Sequence, residues 1–371
     1  MITQKFRLYP NKQQEQKLLE TLDKCRFVYN KMLDGLNEQD KPNRLELQNS
    51  IPKLKEEYPE LKEVYSKVLQ YESYRLFSNL RALARLKKNG KKVGRLRFKG
   101  KGWFKTISYN QSGFKIIETE KRLDLLHLAK IGDIPIRTHR EVKGKIKQIV
   151  IKKYNSGKWY ACIQVENSIE LEKKPIEKKV GIDVGIKYFS TDSDGLQIEN
   201  PKFLDKSYKR LRREQKELSR KKKGSKNRQK QRIRVAKVHE KIVNQREDFL
   251  HKVSRYYADS YDFIAVEDLN IKNMVRSHLA KWINDASWNR FIQFLSYKVE
   301  NTSGIVVKVN PRGTSQEYKF GELDRDYNAS LNILERGLEK LGMGQTEVTP
   351  IETEPLLVRA SSVVEVGSSL R

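Results

Sequence analysis

The sequence predicts a multidomain α/β protein: a small β-barrel interrupted by a helical block, followed by a second domain of short strands and long helices. Three observations predict it. Short apolar-alternating segments between residues 106 and 165 are punctuated by Gly113, Gly132, Gly144 and Gly157, the pattern of a compact barrel. Helical periodicity fills residues 11–89 and again 203–260. A β-branched run broken by one carboxylate, Lys179-Val-Gly-Ile-Asp183, opens a further strand-and-helix region. The 371 residues suit about two or three domains, and 37% apolar content is enough to build real cores.

Residues 4–9 alternate as a strand, with Phe6 and Leu8 on one face and Lys5 and Arg7 on the other, and Pro10 ends it. Asn11 is an N-cap for a helix whose stripe holds Leu18, Leu22, Cys25, Tyr29, Met32, Leu33 and Leu36, which puts Cys25 in a core. Pro42, Pro52 and Pro59 break the next stretch into short pieces, and a long helix follows over 64–88. Its Arg75, Arg81 and Arg85 suit a phosphate backbone or a solvated face. Residues 91–105 interleave Lys and Arg with Phe98, Trp103 and Phe104. That pattern serves base stacking beside phosphate neutralisation, and equally the closing of a small barrel. Strands are predicted at 106–110, 114–117, 123–128, 134–137, 146–154 and 159–165. The strand before Pro10 belongs with them, which makes the helical block an insertion; a charged linker around Pro175 ends the region.

In the second region Asp183 stands among Val180, Ile182 and Val184. A carboxylate left dry and unpaired there costs several kcal/mol, so it needs a cation, a donor or water. Gly181 and Gly185 allow a backbone or a phosphate to come close. Phe189 to Thr191 form the partner strand, and Asp192-Ser-Asp-Gly195 is a turn. Residues 203–260 are helical and strongly basic, with Arg210, Arg213 and the run Arg220-Lys221-Lys222-Lys223, and Gly224-Ser225 divides them into a helical hairpin facing nucleic acid. A strand over 261–267 ends in Glu267, a helix covers 287–301, a strand covers 305–309, and Asp326 opens a last helix. Beyond residue 341 the sequence is polar and expected to be disordered.

The formal charge of +29 calls for a polyanionic partner, and nucleic acid leads because no membrane-length apolar run exists. No signal peptide opens the chain, which places it in the cytoplasm with the nucleoid. Cys25 and Cys162 cannot make a four-cysteine zinc site, so no zinc is expected. His239 and His251 have no partner at ligand spacing, and neither a Walker phosphate loop nor a Ser-His-Asp pattern is present. What remains are three acids at element ends: Asp183, Glu267 and Asp326. Converging carboxylates bind hard divalent cations through oxygen. Two Mg²⁺ or Mn²⁺ ions about 4 Å apart can activate water and stabilise a leaving oxygen in phosphodiester hydrolysis. The plainer alternative is three unrelated acids.

Four motifs, Gly181-Ile-Asp-Val-Gly185, Val266-Glu-Asp-Leu-Asn270, Asn310-Pro-Arg-Gly-Thr-Ser-Gln316 and Asp324-Arg-Asp-Tyr-Asn-Ala-Ser330, occur in that order. Together they resemble the RuvC-like nuclease of the transposon-encoded TnpB (OrfB-type transposase) proteins, relatives of the miniature type V CRISPR effectors. Phe6-Arg-Leu-Tyr-Pro10 and Cys25-Arg-Phe-Val-Tyr-Asn30 resemble that family's N-terminus, so the likeness spans about residues 1–340. The resemblance implies a wedge barrel at 1–10 and 90–172, an inserted helical recognition lobe at 11–89, and a ribonuclease-H-like nuclease at 173–340. It carries the catalytic and metal-ligating roles to Asp183, Glu267 and Asp326. It further implies RNA-guided cutting of double-stranded DNA, a guide RNA from the transposon end, and a protein that is a monomer in its ribonucleoprotein. One departure is plain: the family's zinc ribbon of two Cys-x-x-Cys pairs is missing, and only residues 317–323 fill the gap. The ribbon's loss favours an alternative, a guide-directed DNA-binding regulator with little or no cutting.

Overall fold

The computed structural model describes residues 1–39, 41–166, 174–316, 323–343 and 356–360. The chain divides into two compact units, Met1–Ile169 and Glu170–Arg371.

The first unit runs β1 (Ile2–Leu8), α1 (Lys12–Asn37), α2 (Arg44–Asn49), α3 (Ile51–Glu57), a 3₁₀ turn (Pro59–Glu63) and α4 (Ser66–Lys88). It continues through β2 (Thr106–Asn110), β3 (Phe114–Ile117), β4 (Asp124–Leu128), β5 (Gly132–Arg137), β6 (Lys145–Lys153) and β7 (Trp159–Glu166). The strands form one antiparallel sheet in the order β2-β6-β7-β1-β5-β4-β3, nearly closed like a barrel. β1 lies at its centre, paired with β7 from Ile2↔Val165 to Leu8↔Trp159 and with β5 at Arg7↔Arg137. The N-terminal strand is thus held by residues more than a hundred positions away, and the helices are an insertion between it and β2. α1 begins where Asn11 accepts from the Gln14 backbone and the Gln14 side chain accepts from that of Asn11. Helices and sheet share one core that runs from Phe6, Leu18, Cys25 and Tyr29 to Ile107, Ile151 and Trp159.

Glu72 of α4 lies in this core with no exposed surface, and Arg75 Nε is 3.5 Å from its carboxylate. Burial pushes the Glu72 carboxyl up to about 8, against the opposing pull of Arg75 and of the Cys25 thiol. Its folded pKa lies above its unfolded value, so the stability it contributes is complete in acid and is lost as pH rises through about 8. Between pH 5 and 8.5 the parent should lose on the order of 3 kcal/mol more than Glu72→Gln. Urea denaturation of both proteins at the two pH values measures this, and equal losses would refute it.

The second unit runs β8 (Lys179–Asp183), β9 (Tyr188–Asp192), β10 (Leu196–Glu199), α5 (Phe203–Arg220), α6 (Lys226–Ser260) and β11 (Phe263–Glu267). After these come α7 (Ile271–Met274), α8 (Ala280–Ala286), α9 (Trp288–Asn301), β12 (Ile305–Val309), α10 (Arg325–Lys340) and β13 (Leu356–Val358). The sheet order is β12-β11-β8-β9-β10-β13. β12, β11 and β8 are parallel, β8-β9-β10 is an antiparallel meander, and β13 lies parallel to β10. Expected disorder beyond residue 341 is therefore corrected at 356–358: these residues gain a strand because β10 offers a free edge, and Val358 is buried there. Residues 344–355 and 361–371 lie outside the described part of the chain.

Strand alternation assigns the sheet's two faces. Val180, Ile182, Ile264 and Val266 pack with Leu250, Val253 and Tyr257 of α6 and with Phe291, Leu295 and Val299 of α9. Phe263 and Ala265 turn the other way, into a core with Ile333, Leu334 and Leu338 of α10. Gly181 sets how closely α10 lies on β8: a Cβ there would stand 2.1 Å from the Ser330 carbonyl oxygen and 2.6 Å from the Leu334 nitrogen. The backbone that this glycine admits is the chain's own helix. Gly181→Val should cost about 3 kcal/mol by overpacking and should uncouple α10 from the sheet. A urea midpoint equal to the parent's would show that α10 does not pack here. Among the described residues no helix is long and apolar enough to cross a membrane.

Candidate active site

Asp183 and Glu267 are brought together by strand register. β8 and β11 run parallel with Gly181 opposite Ala265 and Ile182 opposite Val266. One step further, Asp183 ends β8 beside Glu267 at the end of β11. Alternation puts both on the face of Gly181 and Ala265, the face that α10 covers. Asp326 lies in the first turn of that helix. Asp192 shows the contrast. It pairs with Ile182, on the other face, and is buried where it accepts from Tyr257 Oη at 3.0 Å and from the backbone nitrogens of Asp194 at 3.1 Å and Leu196 at 2.9 Å. It holds the turn that the sequence predicted, and has no part in the acid group.

Two of the acids act on the third. Burial, and then the charges of Glu267 and Asp326, push Asp183 up to about 7. Burial also raises Glu267, while its bond from Thr314 and the Arg336 charge pull it down. Arg325 Nη2 donates to Asp326 Oδ1 at 3.1 Å. Asp324 differs in role. As the N-cap of α10 it accepts from the backbone nitrogens of Asp326 at 3.1 Å and Tyr327 at 3.2 Å. Among the described residues no three His, Cys, Asp or Glu side chains form a ready-made metal-binding group. The donors still fit a hard divalent cation in kind. They are all carboxylates, and the charges of Glu267 and Asp326, which add to burial in raising Asp183, are what such a cation offsets.

Thr314, Asn332 and Arg336 were not singled out by sequence reasoning. The Thr314 hydroxyl, 1% exposed, donates to Glu267 Oε1, and α10 holds the loop that carries it. The signal lay inside the Asn310-Pro-Arg-Gly-Thr-Ser-Gln316 motif, where a threonine in a polar loop reads as ordinary turn chemistry.

The basic residues divide. In α5, α6 and the turn between them, Arg210, Arg213, Arg220, Lys222 and Lys223 are exposed, and Lys221 is half-buried. Leu211, Val238 and Ile242 form the hairpin's own small core. Arg228 Nη1 ties the turn down by donating to the carbonyls of Leu218 at 2.7 Å and Lys221 at 2.8 Å. In the first unit Arg81 and Arg85 are exposed, and Trp103 is 67% exposed. Two expected contacts are corrected. Phe104 is buried in the core, edge-on to Tyr29, so it has no face to offer a base. Arg75 is turned inward over the Phe104 ring at 4.4 Å and donates to the Thr106 carbonyl at 3.1 Å.

Fold and site define an α/β protein with a carboxylate centre where two parallel strands end beneath one helix. Residues 161–278 match the OrfB_IS605 family model, described as "Probable transposase". Residues 1–43 match a model described as "Helix-turn-helix domain", and 288–333 one described as "Cas12f1-like, TNB domain". A relative from Escherichia coli (strain K12), "Putative RNA-guided DNA endonuclease InsQ", is 30% identical over 95% of this chain and 96% of its own. Another from Streptomyces pristinaespiralis, "Putative RNA-guided DNA endonuclease", is also 30% identical, over 92% and 90%. The chain belongs to the TnpB (OrfB-type transposase) family. Its fold matches the protein of "Cryo-EM structure of the Cas12f1-sgRNA-target DNA complex" with a TM-score of 0.51, covering 86% of this chain and 82% of that one at 13% identity.

Proposed function

We propose that this protein is an RNA-guided DNA endonuclease of a transposable element, and that Asp183, Glu267 and Asp326 form its cutting site. The observation that carries the reading is the register that seats Asp183 beside Glu267, with Asp326 opening the helix over them. The family's relatives bear names of that activity. In this reading the second unit is a RuvC-like, ribonuclease-H-like nuclease domain. Residues 1–10 and 90–172 are the protein's wedge barrel and 11–89 are its recognition lobe.

Asp183, fixed by its strand, would be the central ligand of a magnesium or manganese site, with Glu267 and Asp326 on either side. Such an ion, when bound, supplies positive charge to a water nucleophile and to the leaving oxygen of a phosphodiester. The chain's own part is to hold the three carboxylates at one end of the sheet; burial and the neighbouring charges favour the protonated form of Asp183, and a bound cation would favour its ionised form. Arg210, Arg213 and the Arg220–Lys223 run lie along phosphate backbones. The partners are a guide RNA from the transposon end and a double-stranded DNA target, with one protein per ribonucleoprotein, in the cytoplasm at the nucleoid. No zinc enters this scheme. The second reading, a guide-directed DNA-binding regulator, is favoured by one observation: no Cys-x-x-Cys pairs stand between Gln316 and Asp324.

The test is to purify the protein, sequence any RNA that accompanies it, and offer DNA matched to that RNA with Mg²⁺ or with chelator. Cutting that needs both Mg²⁺ and the match is the expected result. Matched binding without cutting would transfer the assignment to the regulator, and absence of RNA would end both readings.

A further inference from the structure

The end of β12 and the loop after it are fastened to α10 along one side of the helix. Asn332, Arg336 and Lys340 stand four residues apart and so share a face. Asn332 Nδ2 donates to the Thr314 carbonyl at 2.9 Å. Arg336 Nη1 donates to the carbonyls of Arg312 at 2.7 Å and Asn310 at 3.1 Å, and Lys340 Nζ to that of Lys308 at 2.7 Å. Arg312 N closes the turn on Asn310 Oδ1 at 3.0 Å. The stripe delivers a single side-chain hydroxyl inward, that of Thr314 onto Glu267 Oε1, with the Pro311 carbonyl 3.0 Å away as its other acceptor. Glu267 is 7% exposed, so water cannot easily replace this donor.

We propose that Thr314 is a positioning residue for Glu267, and that the Asn332–Arg336–Lys340 stripe makes α10 the common mount of two of the site's carboxylates. Asp326 rides on the helix directly; Glu267 is steered by a loop clamped to the same helix. The Asn310–Gln316 motif thereby has work that does not require the zinc ribbon which follows it elsewhere in the family. Polar partners that orient a metal-binding carboxylate typically matter by roughly 10- to 100-fold in metal affinity or activity when removed. The proposal rests on the nuclease reading, and its test separates the two.

Parent, Thr314→Val, Thr314→Ser and Glu267→Ala are compared as RNA complexes. Mn²⁺ binding is measured by calorimetry without DNA, and cutting of matched DNA is measured at several Mn²⁺ concentrations. Valine keeps the shape of threonine and removes only the hydroxyl; serine restores it. The expected result for Thr314→Val is Mn²⁺ affinity lower by roughly 10- to 100-fold, and cutting lowered most when Mn²⁺ is scarce. Thr314→Ser should return both to within about threefold of the parent, a rescue that a merely space-filling role would not give. Parent-like Mn²⁺ affinity in Thr314→Val, or a serine variant as weak as the valine one, overturns the proposal. Parent-like cutting by Glu267→Ala would instead refute the site on which it rests. The calorimetry decides the role of Thr314 whether or not the parent cuts.

Discussion

Asp183→Ala and Glu267→Ala should each lower Mg²⁺-dependent cutting of matched DNA by at least about 10³-fold, with RNA affinity within about twofold of the parent. The size of the loss follows from position. Asp183 ends β8 with its direction fixed by the strand and its neighbour across the register fixed by β11. Asp192, the nearest acid in sequence on the paired strand, cannot take over, because it faces Tyr257 on the opposite side of the sheet. RNA affinity should hold because neither side chain is a phosphate contact. Asp324→Ala and Asp326→Ala make the internal comparison. Asp324 accepts from two backbone nitrogens and serves as the cap of α10, so its loss should cost about 1 kcal/mol of stability and leave most of the cutting. Asp326→Ala should be as silent as Asp183→Ala. The measurement is single-turnover cutting of matched DNA by all five proteins, with filter binding of the RNA beside it. Undiminished cutting by Asp183→Ala would remove the site.

Much of the fold was legible because local pattern and tertiary demand agreed. The barrel strands alternate cleanly, as in Trp159, Ala161, Ile163 and Val165 facing the core with Tyr160, Cys162 and Gln164 turned outward, and their ends lie where turn glycines stand. The break at Gly224-Ser225 was legible because glycine at φ +85 and a serine N-cap are local chemistry. β10 and β13 were not, because a run as short as Leu356–Val358 becomes a strand only when an edge is there to receive it. The same division holds at the site. An acid that interrupts an apolar strand announces a cost that something must offset, so Asp183 and Glu267 were visible. That Thr314 serves Glu267 depends on a helix eighteen residues further on reaching back to the threonine's carbonyl, and no periodicity encodes that. Arg75 and Phe104 failed as nucleic-acid contacts for a related reason. A cation and a ring that stack on each other in the core look, in sequence, the same as a cation and a ring waiting for a base.

The affinity of the protein for its RNA should fall by roughly 10³-fold or more between about 50 and 200 mM salt, as expected if six or more phosphates are neutralised and their counterions released. The +29 charge makes a steep dependence expected, but charge alone does not say where the contacts lie. The α5–α6 hairpin is the better-defined candidate. Arg228 holds its turn by two carbonyl bonds, so Arg220, Lys222 and Lys223 are presented on a fixed support, with Arg210 and Arg213 exposed further back along α5. Replacing Arg220, Lys222 and Lys223 together by Ala should lower the slope of log affinity against log salt by about 2, and weaken binding alike for every RNA sequence. Arg75→Ala is the control from the buried set of cations. Its guanidinium is spent on Phe104 and Thr106, so the slope should not move while the protein loses the stability of those buried contacts. Electrophoretic titration of parent, triple variant and Arg75→Ala over a salt series reads the slopes, and urea denaturation reads the stability. A parent slope near zero would dismiss phosphate neutralisation as the basis of binding, and an unchanged slope in the triple variant would move the contact off the hairpin.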